Sequence, residues 1–215
     1  MIRILLTGFT PFDDATINPS QEAALALAAA PPEGCALRAA VLPVSYAAAA
    51  PALAAALTAA PTDILIATGL AGGRAAISVE RVAINVDDAR LPDNDGVRRI
   101  DAPVVPGGPA AYFATVPIKA MTAAIREAGV PAEVSQTAGT FLCNHIFYRA
   151  CHLAATAYPG LRVGFLHLPY LPEQVAGRPG VPSMGRATLL RGLAAAICAA
   201  RDHAADLAVA EGSAA

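Results

Sequence analysis

Residues 51–69, PALAAALTAAPTDILIATG, pass from an alanine-rich stretch into a short apolar run that ends in glycine. The first part favours a helix, and the second part is typical of a buried strand. The same alternation continues outward in both directions along the chain. Because strands that are joined by helices come together as a mainly parallel sheet, the sequence predicts an α/β fold with three α/β/α layers.

The other predicted strands are short apolar runs, and the predicted helices lie between or after them. The strands are IRILL, LRAAVLPV, DILIATG, ISVERVAINV, AEVSQT and RVGFLHLPY, and helices are expected near 51–60, 117–128, 142–157 and 185–206. One more helix starts after Asn18, the expected N-cap, with Gln21 as its capping-box partner. The polar segment 87–96 is expected to form a turn.

Composition and charge limit the class of protein. A chain of 215 residues with a formal net charge of −2 suits a single domain, which we place over residues 1–207, followed by a tail over 208–215 that we expect to fray. The longest apolar stretch is interrupted by Pro51 and is shorter than the ~20 residues of a membrane-spanning helix. Lysine and arginine are scattered, so neither a membrane nor nucleic acid is an expected partner.

The cysteines and the N-terminus indicate a reducing compartment. The four cysteines at positions 35, 143, 151 and 198 have no Cys-x-x-Cys spacing. The first residues, MIRILLTGFTPF, lack the long apolar region and cleavage site of a secretion signal. We therefore expect reduced thiols and a cytoplasmic protein.

Cys143 is the candidate nucleophile. It follows the predicted strand AEVSQT and lies at the start of the next helix, at the sheet edge where α/β proteins gather their ligands. A thiol at a helix N-terminus is expected to form thiolate more readily. A buried structural cysteine is the alternative.

Among the four histidines, His167 is best placed to act as the base. It lies near the end of the strand RVGFLHLPY, whereas His145, two residues after Cys143, points about 200° away at ~100° per residue of helix. His152 is too far along the same helix, and His203 lies on the last helix. A packed core histidine remains the alternative for His167. Zinc is disfavoured because Cys143 and Cys151 lie ~12 Å apart along a helix.

Glu80 is a charged residue inside an otherwise mostly apolar predicted strand, after the glycine-rich segment GLAGGR. Burying it without a partner would cost several kcal/mol, so it is expected either to orient an imidazole or to pair with Arg74, Arg81 or Arg90. The glycines lack the G-x-G-x-x-G spacing and the Walker lysine, so a phosphate site is only weakly indicated.

Four separated segments together resemble the pyroglutamyl peptidase I family, also called pyrrolidone carboxyl peptidases. They are TGFTPF with NPS, AGGRAAISVERVAINVDDARLPDNDG, SQTAGTFLCNHIFY and GFLHLPYLPEQ, and they span the chain to about residue 174 in the family's order. The resemblance implies a cysteine peptidase that removes N-terminal pyroglutamate from small peptides through a thioester. It implies no cofactor, no metal and a homo-oligomer, either a dimer or a tetramer.

The resemblance also assigns roles to individual residues. The catalytic triad falls on Glu80, Cys143 and His167. The residues that bind the substrate fall on Phe9, Phe12, Arg90, Asn18 and Phe141, with the two phenylalanines of the first loop flanking the lactam ring and Arg90 assisting at the catalytic centre.

The chain departs from the family pattern at two places. Leu70 stands where the family has glutamine, and Asp13 and Asp14 stand where small glycines are usual. Two alternative functions stay open: a phosphorylase-like enzyme of related architecture, since such enzymes also have glycine-rich loops at strand ends, and a non-catalytic protein that binds blocked N-termini, which Leu70 would allow.

Overall fold

The computed structural model describes residues 1–212, which form a six-stranded sheet and a separate pair of short strands. The strands are β1 (Ile2–Phe9), β2 (Cys35–Leu42), β3 (Ile64–Leu70), β4 (Ile77–Glu80), β5 (Val82–Ile84), β6 (Ala111–Phe113), β7 (Ala132–Ser135) and β8 (Arg162–Leu168). The main sheet has the order β2-β1-β3-β8-β4-β7, and only the β4–β8 pairing is antiparallel. The predicted, mainly parallel α/β fold is confirmed.

Helices cover both faces of the sheet. They are α1 (Pro19–Ala29), α2 (Ala49–Ala59), α3 (Ile118–Glu127), α4 (Leu142–Thr156), α5 (Pro172–Val175) and α6 (Arg186–Asp202). Along β3, Ile64 and Ile66 belong to the apolar cluster beneath α1, α3 and α6, while Leu65 and Ala67 belong to the cluster beneath α2 and α4. Because both faces are buried, the strands are apolar throughout rather than alternating.

Strand register brings the functional segments to one edge. Gly69 on β3 is the parallel partner of His167 on β8, and Ser78 on β4 is its antiparallel partner. β4 ends two residues later, at Glu80. β3 and β8 therefore end side by side, and the antiparallel β4 places Glu80 on the other side of His167.

The strand predicted as ISVERVAINV is two strands in the structure. β4 pairs with β7 only as far as Glu80 and Ser135, after which β7 ends. The Arg81 amide still donates to the carbonyl of Ser135 at 2.9 Å, but its own carbonyl accepts from the amide of Ala114. The chain leaves the sheet there because it has no further partner, and β5 pairs with β6, a strand that the sequence did not predict.

The start of α1 is predicted correctly except for one partner. Asn18 is the N-cap, and its Oδ1 accepts a 3.0 Å hydrogen bond from the amide of Ser20. The capping box with Gln21 is wrong, because the Gln21 side chain does not accept from the Asn18 amide; the Ser20 hydroxyl instead adds a second hydrogen bond to Asn18 Oδ1, at 2.8 Å. The Oε1 of Gln21 is buried without a partner among the described residues.

The turn predicted over 87–96 is present and is held by a buried carboxylate. Asp93 Oδ1 accepts hydrogen bonds from the amides of Asp95 and Val97, at 3.0 and 2.8 Å. The other carboxylate oxygen, Oδ2, accepts from the amide of Tyr46 at 2.8 Å, which attaches the turn to the chain that follows β2.

The proposed domain limits stay a prediction. Within the expected tail, the carbonyl of Val209 accepts a 2.6 Å hydrogen bond from Lys119, and Glu211 pairs with Arg126 at 2.5 Å. Residues 213–215 lie outside the described part of the chain. Among residues 1–212, no helix has the length and apolarity needed to cross a membrane.

Candidate active site

Glu80 and His167 form a buried hydrogen-bonded pair at the ends of β4 and β8. Glu80 is fully buried and His167 is 4% exposed, and Glu80 Oε1 lies 2.7 Å from His167 Nδ1. A carboxylate can only accept, so Nδ1 carries the proton and Nε2 keeps its lone pair. The Phe165 ring packs against the imidazole with centroids 4.9 Å apart. The pair therefore holds His167 in the tautomer that can act as a base.

Cys143 is the second residue of α4, and its sulfur lies directly over Gly69. A Cβ on residue 69 would be 2.6 Å from Cys143 Sγ and 3.0 Å from Phe165 Cζ. Paired residues of parallel strands point to the same face, and adjacent strands are about 4.8 Å apart. Because Gly69 pairs with His167, the sulfur over Gly69 and the imidazole of His167 lie on the same face of the sheet, next to neighbouring strands.

Burial controls the protonation of both groups. It raises the pKa of the Cys143 thiol to about 12, and the Glu80 carboxylate adds to that rise. Burial also lowers the pKa of His167, although the hydrogen bond that His167 donates to Glu80 opposes this shift. Burial thus opposes the thiolate that the helix start favours, and the thiolate stays a prediction. Both shifts favour the neutral forms of the thiol and the imidazole, so a proton must leave the thiol as the sulfur reacts.

Glu80 has a second partner, Arg74. The Arg74 Nη1 atom lies 2.8 Å from the same Oε1 that binds His167, and Nη2 donates to the carbonyl of Thr137 at 3.3 Å. The two interpretations left open by the sequence, an oriented imidazole and an ion pair with Arg74, are both present. The arginine offsets the cost of burying the carboxylate charge.

The residues expected to bind the substrate are only partly brought together. Phe12 and Phe141 are in contact, with ring centroids 5.3 Å apart. Phe9 is 3% exposed and belongs to the core beneath α2 and α4. The Asn18 amide is occupied, since it caps α1 and donates to the carbonyl of Thr10. Arg90 is exposed.

A cleft of about 660 Å³ opens beside these residues. Its walls include Phe12, Asn18, Leu70 and Tyr170. Cys143, His167 and Arg90 do not line it, so the cleft adjoins the thiol and imidazole rather than containing them. Leu70, which departs from the family pattern, therefore faces the space next to the reacting groups.

The other histidines bind elsewhere. His145 is 3% exposed, and its Nδ1 lies 2.9 Å from Asp87 Oδ2, which agrees with the prediction that it points away from the thiol. The Nδ1 of His152 lies 2.9 Å from the Tyr112 hydroxyl. Within residues 1–212, no three His, Cys, Asp or Glu side chains are grouped so that they could hold a metal ion.

The sequence did not identify Gly69 or Asn144 as part of this region. Gly69 could have been noticed as a glycine ending a buried strand, where a close approach is common. Asn144 carried no signal, since an asparagine in a helix is usually exposed.

Comparison with known proteins identifies the family. The chain matches the pyroglutamyl peptidase family over residues 2–203. The pyrrolidone-carboxylate peptidase of Streptomyces coelicolor is 53% identical over 215 residues, covering 99% of each chain, and that of Escherichia fergusonii is 50% identical over 213 residues, with the same coverage.

Solved structures agree. A crystal structure of Bacillus amyloliquefaciens pyroglutamyl peptidase I matches with a TM-score of 0.93 and 39% identity, covering 96% of this chain and 100% of that one. A mutant pyrrolidone carboxyl peptidase from the hyperthermophile Pyrococcus furiosus matches with a TM-score of 0.89 and 40% identity, covering 94% and 99%. The chain belongs to the pyroglutamyl peptidase family, a family of cysteine-type peptidases.

Proposed function

We propose that this protein hydrolyses the bond between an N-terminal pyroglutamyl residue and the rest of a peptide. Cys143 is the nucleophile, His167 the base and Glu80 the carboxylate that orients the base. The observation that carries the proposal is the position of the Cys143 sulfur over Gly69, on the sheet face where Glu80 holds His167 by its Nδ1.

The chemistry follows from the protonation states. His167 Nε2 accepts the thiol proton as the sulfur attacks the carbonyl that joins the lactam ring to the next residue. The S–C bond forms, the C–N bond breaks, and the same proton passes from His167 to the leaving amine. Water, deprotonated by His167, then attacks the thioester, which releases pyroglutamate and returns the proton to the thiol.

The first turn of α4 supplies donors for the oxyanion. The N-cap residue, Phe141, has no side chain that can accept a hydrogen bond, so nothing at the cap competes for the amides of Leu142 and Cys143. Preorganised backbone amides of this kind stabilise developing negative charge. Arg90 is proposed as an assistant, which requires its exposed side chain to turn inward when substrate binds.

The lactam ring is proposed to bind against the aromatic pair Phe12 and Phe141. The ring has no free amine, so an apolar slot that needs no acidic partner suits it. Phe9, beneath this pair, supports it from the core, and Asn18 shapes the loop through its bond to the Thr10 carbonyl. The peptide beyond the ring would extend along the 660 Å³ cleft.

The setting of the protein belongs to the same proposal. All four cysteines are unpaired, which fits a cytoplasmic location. A homo-oligomer, either a dimer or a tetramer, is part of the proposal because the family resemblance implies one.

Hydrolysis of pyroglutamyl and prolyl anilides, measured side by side, tests the function. We expect the wild-type protein to cleave the pyroglutamyl anilide alone, and Cys143→Ala to lose about 10⁵-fold or more in kcat with an unchanged thermal midpoint. A wild-type protein that cleaves neither compound, or a variant that keeps its activity, contradicts the proposal. Inactivity together with tight binding of a pyroglutamyl peptide would instead support a binder of blocked N-termini.

A further inference from the structure

The residues on either side of Cys143 are hydrogen bonded to one short segment, residues 84–88, which begins at the last residue of β5. We call this set of contacts the clasp: Thr140, Asn144 and His145 on one side, and residues 84–88 on the other. None of these side chains takes part in the chemistry proposed above.

Asn144 makes the largest contribution to the clasp. Its Oδ1 accepts from the amide of Ile84, and its Nδ2 donates to the carbonyls of Ile84 and Val86, each at 2.9 Å. The side chain is fully buried and uses both of its N–H donors. Three hydrogen bonds from one planar group fix both the rotation and the axial position of the residue next to the thiol.

His145 makes the second contact. Its Nδ1 donates to Asp87 Oδ2 at 2.9 Å, and Arg99 Nη1 reaches the same oxygen at 2.7 Å. Asp87 is fully buried, and its backbone is tied to Ala102 by hydrogen bonds in both directions. The carboxylate is therefore a fixed point to which the first turn of α4 is attached.

Thr140 completes the clasp before the helix begins. Its hydroxyl donates to the carbonyl of Asp88 at 2.6 Å, and its own carbonyl accepts from the Asp88 amide at 2.9 Å. The chain is thus held on both sides of Cys143 by directional contacts.

Beyond the clasp, α4 is held by apolar packing, and its directional contacts lie in later turns, where Tyr148 donates to the carbonyl of Pro109 at 2.7 Å and His152 lies 2.9 Å from the Tyr112 hydroxyl. Ile146, Phe147 and Ala150 are fully buried in the cluster beneath α2 and α4. Apolar contacts are non-directional, so packing alone would tolerate a small rotation or shift of the helix. The position of the sulfur does not allow such a shift of the helix, because Cys143 Sγ lies in the space that a Cβ on Gly69 would fill.

We propose that Asn144 and His145 are positioning residues, which through the clasp hold the Cys143 thiol over Gly69 and within reach of His167. This inference rests on the proposed function of Cys143 and His167. It predicts that loosening the clasp slows the chemical step while leaving substrate affinity almost unchanged, because the residues that bind the ring are not altered.

The first experiment measures kcat and KM for the pyroglutamyl anilide with Asn144→Ala, alongside thermal midpoints. We expect kcat to fall about 100-fold and KM to stay within about twofold, since displacing a reacting group by ~1 Å has an effect of that size. His145→Ala loses one hydrogen bond instead of three and serves as a second variant if the first does not fold, with an expected tenfold loss. The matched control is His152→Ala, which removes a 2.9 Å histidine hydrogen bond from the same helix, away from the thiol, and should keep kcat.

A conservative variant separates positioning from charge. Asp87→Asn keeps an acceptor for His145 and should stay within about threefold of wild-type kcat, whereas Asp87→Ala should resemble His145→Ala. Equal losses of kcat in Asn144→Ala and His152→Ala, or a rise in KM that accounts for the loss, would overturn the proposal.

The second experiment needs no substrate, so it stands apart from the proposed function. The rate of Cys143 alkylation by iodoacetamide is followed by peptide mapping in wild type, Asn144→Ala, His167→Ala and the double variant. We expect Asn144→Ala to slow labelling about tenfold when His167 is present. When His167 is already absent, the same substitution should have no effect, because Asn144 acts by holding the thiol within reach of His167 and the two substitutions are then non-additive. Faster labelling, or the same change in both backgrounds, contradicts the clasp. A failure to cleave the anilide contradicts the proposed function alone.

Discussion

Two buried carboxylates in this molecule each bind a histidine in the same way, yet only one of the two histidines faces the thiol. Glu80 accepts from His167 Nδ1 at 2.7 Å, and Asp87 accepts from His145 Nδ1 at 2.9 Å. Both carboxylates are fully buried, and both histidines are less than 5% exposed. By hydrogen bonding alone, either pair could orient a base.

The likeness extends to the arginines. Arg74 lies 2.8 Å from the Glu80 oxygen that binds the histidine, and Arg99 lies 2.7 Å from the corresponding oxygen of Asp87. In each carboxylate the other oxygen is buried and has no hydrogen-bond partner within residues 1–212. The two clusters therefore use the same means of burying a charge.

The difference lies in the elements that carry the histidines. His167 is on a strand and is paired with Gly69, over which the sulfur lies, whereas His145 shares a helix with Cys143 and points away from it. A histidine–carboxylate pair thus becomes a base for the thiol only through the sheet register. The second pair serves to hold the backbone.

The largest expected effect comes from removing each histidine in turn. His167→Ala removes the base and should lower kcat/KM by about 10⁴-fold or more, whereas His145→Ala should lower it about tenfold. Steady-state kinetics with the pyroglutamyl anilide measure both. If the two losses are similar, the distinction between the pairs is wrong.

A smaller effect is expected from filling the space between the strand and the sulfur. In Gly69→Ala the new Cβ would lie 2.6 Å from Cys143 Sγ, so the thiol must move and kcat should fall about 100-fold. Gly164→Ala is the matched control on the other face of β8, where the Cβ would meet Val116 Cγ2 at 2.4 Å.

The control should lose about 1–3 kcal/mol of stability through overpacking, but it should keep kcat within about threefold. Thermal unfolding and steady-state kinetics on both variants provide the test. If Gly164→Ala loses as much kcat as Gly69→Ala, then strain anywhere in the sheet lowers activity, and the contact with the Cys143 sulfur is not the cause.

The smallest effect is a shift of the pH profile. His167 must be neutral to accept the thiol proton, and burial lowers its pKa, so the acid limb of kcat/KM should have its midpoint below the ordinary histidine value of about 6.5. The hydrogen bond and charge of Glu80 oppose that shift, so Glu80→Gln should move the midpoint to still lower pH.

Asp87→Asn should leave the midpoint where it is, since Asp87 binds the other histidine. The measurement is kcat/KM from pH 4.5 to 8 for the three proteins. A midpoint above the ordinary histidine value, or one that moves in Asp87→Asn, would contradict this account.

Much of the site followed from the sequence because its residues lie where strands end. The sequence places Cys143 and His167 at the carboxyl edge of the predicted sheet. In the structure the Cys143 sulfur lies at Gly69, the register partner of His167, at that edge. The register between strands was not predictable, since it depends on pairing across distant segments. For this reason the sequence could not choose between the imidazole and Arg74 as the partner of Glu80, and both are present.

Other features depended on three-dimensional context that no local pattern records. The division of ISVERVAINV into β4 and β5 depends on where β7 ends. The raised pKa of Cys143 depends on burial, whereas its place at a helix start suggested the opposite. Asn144 looks unremarkable in the sequence, because its three partners are backbone atoms of a segment about 60 residues away.

The position of β8 has a consequence for biosynthesis. It is the last strand to be made, yet it lies between β3 and β4 in the middle of the sheet. A nascent chain that has not yet released residues 162–168 from the ribosome therefore holds two incomplete half-sheets with open edges, and it also lacks its general base. The strand that closes the sheet is thus the strand that brings His167 to Glu80 and Gly69, so the sheet and the histidine site are completed by the same segment.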